Sequence, residues 1–445
     1  MDLMNKDLPM LAKDLSLDQH FVFKQDVKLI AAIDKLYRSN RTPDMKRENL
    51  LLPERKLGFD EVQRILIQAQ KPKGWLQLSE KSPEELLMEQ NDNRRKIIKM
   101  VEDILSNINR SADAGDVPKL VIRNQRIWSN CIYDSDRVTL KAFNDAQKTV
   151  ITYNNSDDKT RFNIIVFVLT KVHELLTKNL TVTRRELFYQ NVTRVRNQGH
   201  LDVAVRDVCC LLETPPWDLG VVATAKGLIA GPLMIHTRDG SVIYCMTSGG
   251  TLLPQDITGI KEFKSTAKYI LVVEKDAIFQ KLLDEGALVR LAPVIIITGK
   301  GYPDVCTRQL LCRLTSELGL RALALVDADP HGFEIFLTYK YGSLAQSHLS
   351  ATLACPSLVM LGARHRDLLT LVPENARMAL TDLDKRKLRA LIGRPYLETA
   401  IGTSIKAELT SLLAGGWKAE IEGVASAALC DAYLPAALIQ AEYLG

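Results

Sequence analysis

Between Tyr269 and Gly332 the chain alternates wholly apolar runs with amphipathic ones, and this rhythm constrains the fold more than any other feature. "YILVVE" (269–274) and "PVIIIT" (293–298) are continuous β-rich stretches, and "ALALVDADPHG" opens the same way before turning acidic. Between them lie "DAIFQKLLDEG" and "DVCTRQLLCRLTSELG", which read as helices. A strand without a polar face must be buried on both sides, which predicts a parallel sheet covered by helices on each face. Ligands of such sheets gather at the carboxyl ends of the strands. The sequence puts Glu274, the "TGKG" loop (298–301), Asp327 and Asp329 there.

Side chains two apart in extended chain share a face, so Asp327 and Asp329 point the same way. Like charges that close raise each other's pKa unless a cation sits among them. Oxygen donors without Cys or His nearby suit magnesium. A lone D-x-D serves equally well as a helix cap or a solvated strand end; Glu274 on a parallel strand of the same sheet favours the metal. Gly299 and Gly301 around Lys300 would let backbone amides approach a phosphate. The Walker spacing is missing, which argues against ATP binding by this loop.

Upstream, "RFNIIVFVLTKVHELLTKN" (161–179) reads as an apolar helix. Thr183 with Glu186 forms a capping box, so "RRELFYQN" should be a helix with Tyr189 in its second turn. A third helix, "LDVAVRDVCCLLE", is stopped by "TPPW". "LGVVATA", "GLIAGPLMIH" and "SVIYC" then read as strands separated by turns. Three helices followed by a β-hairpin is the order of a winged helix, a DNA-binding unit. Arg184, Arg185, Arg194, Arg196 and Arg206 outnumber Glu186 and Asp202, which suits phosphate contacts and equally a solvated helix face. A tyrosine in such a unit is ordinarily a core residue with a polar tip. As a nucleophile a phenol is poor unless cations stabilise the charge that develops. Arg185, one turn before Tyr189, is placed for that.

The first ninety residues are mixed and charged, with a helical patch at "FDEVQRILIQAQ" and a break at "KPKG". A firmer helix follows in "NDNRRKIIKMVEDILSNINR", behind an Asn/Asp cap, and "PKLVIRNQRIWSNCIYD" turns to strand. The tail from Asp382 reads as helical, "WKAEIEGVASAAL" most clearly. No run approaches the eighteen or so apolar residues of a membrane span, and the start lacks a secretory pattern, which leaves cytosol or nucleus. Eight cysteines without C-x-x-C spacing read as buried reduced thiols, and seven histidines without an H-x-x-x-H pair argue against zinc. The net charge is only +5, so a nucleic-acid partner rests on local patches.

"RRELFYQNV", "VVATAKGLIAG", "YILVVEKDAIFQKLL", "ITGKGYPDVCTRQLL" and "ALVDADPHGFEI" together resemble the Spo-eleven family of meiotic double-strand-break transesterases and its relative, the A subunit of DNA topoisomerase VI. The resemblance covers residues 118 to 443. It implies an α/β multi-domain chain: an N-terminal helical extension of no assigned role (1–115), a winged-helix domain of the catabolite-activator type (116–255), and a Toprim α/β parallel-sheet domain with C-terminal helices (256–445). It implies that Tyr189 is the nucleophile, that Arg185 stabilises the transition state, and that Glu274, Asp327 and Asp329 hold magnesium. Lys226, Arg184, Lys300 and Arg308 would face double-stranded DNA. The active complex would be a nuclear homodimer in which the tyrosine of one copy meets the metal of the other. Meiotic accessory proteins would assist it, together with a B-type topoisomerase-like subunit. Two further readings stand beside it: a Toprim hydrolase in which Tyr189 is structural, and a DNA-binding scaffold without turnover.

Overall fold

The computed structural model describes residues 83–134, 137–154, 156–365, 377–423, 429–441 and 443–445, with Val372 and Glu374. The patch at 59–70 and the "KPKG" break lie outside them. Helix α1 (Pro83–Asp113) buries Ile97 and Val101. It begins before the Asn and Asp residues at 91–93 expected to cap it. Pro83 pre-sets the helical φ at the first position. β1 (Lys119–Arg123) pairs antiparallel with β4 (Lys148–Thr152), and β2 (Cys131–Asp134) with β3 (Arg137–Leu140). Helices α2 (Ser156–Lys178), α3 (Arg184–Tyr189) and α4 (Gln198–Leu211) follow, with β5 (Val182–Thr183) parallel to β6 (Val221–Val222). One apolar core ties them together, with Val101, Leu169, Leu187, Val205 and Val221 among its members.

The second half holds a six-stranded sheet in the order β10 (Thr251–Leu252), β7 (Leu228–Ala230), β13 (Val294–Thr298), β12 (Tyr269–Val273), β14 (Arg321–Leu325), β15 (Val359–Gly362). The last four are mutually parallel, with Val273 level with Thr298 and Leu325. Their alternation splits the core in two. Tyr269, Leu271 and Val273 face Phe279 and Leu282 of α5 (Asp276–Asp284), whereas Ile270 and Val272 share the other layer with Leu310 of α6 (Val305–Leu318) and Phe336 of α7 (Pro330–Tyr341). The expected two-sided parallel sheet is therefore present. Helices α8 (Asp382–Ile392), α9 (Gly402–Gly415) and α10 (Leu434–Gln440) complete the layers.

Two stretches differ from the sequence reading. Of the runs read as strands after the third helix, "LGVVATA" stays with the helical half through β6, but the other two join the second half: β7 pairs with β13, and β8 (Leu233–Thr237) lies between β9 (Val242–Tyr244) and β11 (Ile260–Ser265). Turn chemistry announces a hairpin but not the sheet it will join. Gly227 permits the docking, because a Cβ there would meet Thr307 Oγ1 at 2.4 Å and Thr298 O at 2.8 Å. Likewise Trp417–Lys418 is not helix but strand β17, paired with β16 (Met378–Ala379). Trp417 packs on His365 with ring centroids 4.0 Å apart, and Ala419 bridges to Ala328, which holds this stretch extended across the sheet. All eight cysteines are free and seven are buried, as expected for reduced thiols.

Candidate active site

The parallel register brings the acids to one edge. Glu274 directly follows β12, and its amide donates to Leu325 O at 3.1 Å, level with the end of β14. Asp327, two residues further along, donates its own amide to Glu274 Oε2 at 2.9 Å. Asp329 caps α7, its Oδ1 accepting the Gly332 amide at 2.7 Å, so the capping alternative is also realised there. Gly332 is required: a Cβ would sit 2.4 Å from Asp327 O and 3.0 Å from Glu274 Oε2. Glu274 and Asp327 are only 8% and 2% exposed. Burial, and then the like charge of Asp327, push the Glu274 carboxyl well above the ordinary range, and burial pushes Asp327 upward too.

Other groups hold these acids in place. Asp327 Oδ1 accepts the Ile421 amide at 2.9 Å, and Oδ2 pairs with Lys275 Nζ at 3.0 Å. Lys275 also lies 2.9 Å from Glu420 Oε2. As they stand, no three His, Cys, Asp or Glu side chains among the described residues form a group that could hold a metal ion. The sequence reading missed Lys275, Glu420 and the Ile421 amide. Lys275 follows Glu274 directly and could have been suspected. Glu420 and Ile421 carry no local signal, since they arrive from the far end of the chain.

The "TGKG" loop folds over the end of β12. Thr298 Oγ1 and the Gly301 amide both donate to Glu274 O, at 3.3 and 2.8 Å, and the Lys300 amide donates to Thr298 Oγ1 at 3.1 Å. Those amides are therefore committed inside the loop and not presented to a phosphate. Lys300 has φ +53°, a left-handed conformation costing about 1 kcal/mol for a residue with a Cβ, as found where a loop is over-determined by function. Its ammonium pairs with Asp276 at 3.0 Å, and the exposed Lys226 reaches Lys300 O at 3.3 Å. Beside them the Tyr302 hydroxyl lies 3.1 Å from His331 Nδ1 and 2.8 Å from Lys387 Nζ. Burial alone would raise Glu334, but Lys387, Tyr302 and Arg394 outweigh it and hold that carboxyl at about 2. A basic and aromatic rim thus flanks the acids.

Tyr189 stands on the helical half. The capping box forms as expected: Glu186 N donates to Thr183 Oγ1 at 3.1 Å, and Thr183 N to Glu186 Oε2 at 3.4 Å. The helix ends at Tyr189, two residues sooner than the sequence suggested. Leu187 is buried and anchors α3, which turns Tyr189, two positions on, to the opposite side, where it is 70% exposed. Arg185, exposed four residues earlier, shares its face. The bonds of Glu274, Asp327 and Asp329 run to neither Tyr189 nor Arg185.

Arg308 requires a correction. It was expected to face DNA, yet it is 2% exposed, with Nη1 donating to Gln346 Oε1 at 2.6 Å and Nε to Leu353 O at 3.2 Å. Burial draws its pKa down to about 10. It braces α6 against the segment after α7. Arg308→Ala should cost about 3 kcal/mol, because it strands buried acceptors and opens a cavity; thermal denaturation checks this, and weaker DNA binding at unchanged stability would contradict it. Arg184 is half-buried and lies 3.9 Å from Asp202, so it is only partly available to an outside ligand.

Two known family segments coincide with these halves. Residues 160–221 match "Type IIB DNA topoisomerase", and residues 269–438 match the Toprim domain shared by the topoisomerase 6 A subunit and Spo11. The chain is 34% identical over 344 residues to "Meiotic recombination protein SPO11" of Mus musculus, covering 76% of this chain and 86% of that one. It is 38% identical over 287 residues to "Meiotic recombination protein W68" of Drosophila melanogaster, covering 64% and 85%. The A subunit of DNA topoisomerase 6 from Arabidopsis thaliana is 34% identical over 352 residues, covering 77% and 80%. Likeness of this degree runs through the segment bearing Tyr189 and the sheet bearing the acids alike, and it makes the chain a member of the family that unites SPO11 with the A subunit of topoisomerase 6.

Proposed function

We propose that this protein forms DNA double-strand breaks by topoisomerase-like transesterification, initiating meiotic recombination. The observation that carries the reading is Tyr189, standing exposed beside Arg185 on a basic helix while the acids cluster on the other half of the chain. Tyr189 Oη forms a bond to a backbone phosphorus and the bond from phosphorus to the 3′-oxygen breaks. The tyrosine loses its proton, the departing 3′-oxygen gains one, and the protein stays joined to the 5′ end. No water is consumed, so the phosphoester energy is conserved. Arg185 supplies positive charge where the phosphate becomes more negative. The helical unit serves as a DNA-binding part, and exposed Lys226 and half-buried Lys300 meet the backbone phosphates.

The donor chemistry of the acid edge suits magnesium, although as they stand the three carboxylates do not converge on one point. Its donors are all oxygen, two are buried against each other's charge, and a lysine ammonium already sits where a cation is wanted. Glu274, Asp327 and Asp329 would hold the ion. When bound, it supplies charge stabilisation at the phosphate and the leaving oxygen. That the acids bond to neither Tyr189 nor Arg185 supports a homodimer in which each tyrosine acts beside the acids of the other copy, cutting both strands. The setting is the nucleus, with meiotic accessory proteins and a B-type topoisomerase-like subunit for partners.

A second reading rests on the Arabidopsis relative, which matches the chain as closely as the mouse one: an A subunit of topoisomerase VI. Relaxation of supercoiled DNA with a B-type ATPase subunit would favour it; breaks without relaxation favour the meiotic role. The decisive test of both is to trap protein–DNA adducts under denaturing conditions and map the linked peptide. A 5′-linked peptide containing Tyr189 is expected. Free 5′ ends, or linkage through another residue, would overturn the reading.

A further inference from the structure

Lys275 holds an unusual place on the acid edge. Its ammonium lies 3.0 Å from Asp327 Oδ2, 2.9 Å from Glu420 Oε2 and 3.9 Å from Glu422 Oε1. Asp327 is the most deeply buried of the three acids, and its other oxygen is taken by the Ile421 amide. Both rim glutamates, by contrast, are more than two-fifths exposed. The neighbouring cations are committed elsewhere, Lys300 to Asp276 and Lys387 to Glu334. A lysine on a flexible four-carbon stem can therefore leave the inner carboxylate for the outer pair without moving the backbone. A divalent ion claiming Asp327 Oδ2 meets that ammonium at close range, and the repulsion between two cations on one oxygen favours its displacement.

We propose that Lys275 is a resident counter-cation that competes with magnesium for Asp327, and that Glu420 with Glu422 forms the resting place to which its ammonium retreats when the ion enters. The inference rests on the reading of Glu274, Asp327 and Asp329 as magnesium acids. It makes Lys275 a positioning residue that sets the magnesium concentration at which the site fills. It also explains why the segment after β17 is drawn across the sheet to Asp327: that segment carries both the amide that fixes the carboxylate and the glutamates that receive the lysine.

The test is thermal melting of the full-length protein across a MgCl2 titration, which reads metal binding without DNA or turnover. Wild type should melt at rising temperature until the site saturates, and the midpoint concentration is the readout. Lys275→Met should melt lower without metal, yet its midpoint should fall by about fivefold or more, the scale of an ordinary competition between two ligands. Glu420→Gln should shift the midpoint upward, because the ammonium loses its resting place. The double variant should match Lys275→Met within about twofold, because Glu420 acts through the lysine. An unchanged midpoint in Lys275→Met makes Lys275 a plain structural ion pair and overturns the proposal. A Glu420→Gln effect persisting in the double variant makes Glu420 a direct donor and also overturns it. If Lys275→Met does not fold, Glu420→Gln decides, an unchanged or lower midpoint refuting the idea. A wild type as unresponsive as Asp329→Asn would instead sink the magnesium reading itself, and the proposal with it.

Discussion

Tyr189→Phe is expected to abolish covalent attachment to DNA while leaving the fold and DNA affinity intact. The hydroxyl forms the new bond to phosphorus, and a ring without it has nothing to offer. The fold should not notice. Tyr189 is 70% exposed at the end of α3, and the helix is anchored by buried Leu187 and by its capping box. A loss of one exposed hydroxyl should change stability by less than about 0.5 kcal/mol. Denaturing electrophoresis of labelled DNA after incubation with the active complex reads the adduct, and calorimetry reads the fold. Adducts that survive the substitution would show that another group attacks.

Asp327→Asn carries the second large effect, a loss of cleavage of at least about a hundredfold with the protein still folded. Asparagine keeps the shape and can still accept the Ile421 amide, but it removes the charge that Lys275 balances. It also removes a like charge beside Glu274, the second cause of the elevation of that carboxyl, so Glu274 should titrate nearer the ordinary range. The lost ion pair and the relieved repulsion offset each other, so stability should stay within about 1 kcal/mol. Cleavage assays with and without added MgCl2 check the first part and thermal denaturation the second. An Asn variant that cleaves at the wild-type rate would remove Asp327 from the chemistry.

What could be read from the residues alone follows a physical division. Features set by neighbours in the chain were legible. The capping box at Thr183 and Glu186 follows from a three-residue spacing, and the wholly apolar runs at Tyr269–Val273 and Val294–Thr298 dictate a sheet buried on both faces. Strand ends in such a sheet must converge, which places Glu274 and Asp327 at one edge. Features set by distant partners were not legible. Nothing local in "GLIAG" says that Leu228–Ala230 will pair with Val294–Thr298, because that choice depends on Gly227 meeting Thr307 some eighty positions later. Arg308 was expected to face DNA only because the resemblance implied it; the partners Gln346 and Leu353 show that it is internal. The same limit hid the link from Lys275 to Glu420.

The amide of Ile421 completes the environment of Asp327, and Leu444 bonds with Met360 on the edge strand of the same sheet. These contributions arrive from far along the chain, Ile421 lying 94 positions beyond Asp327. Loosening that distant segment should therefore disarm the acids while leaving the helix of Tyr189, which packs in a separate core, as it is.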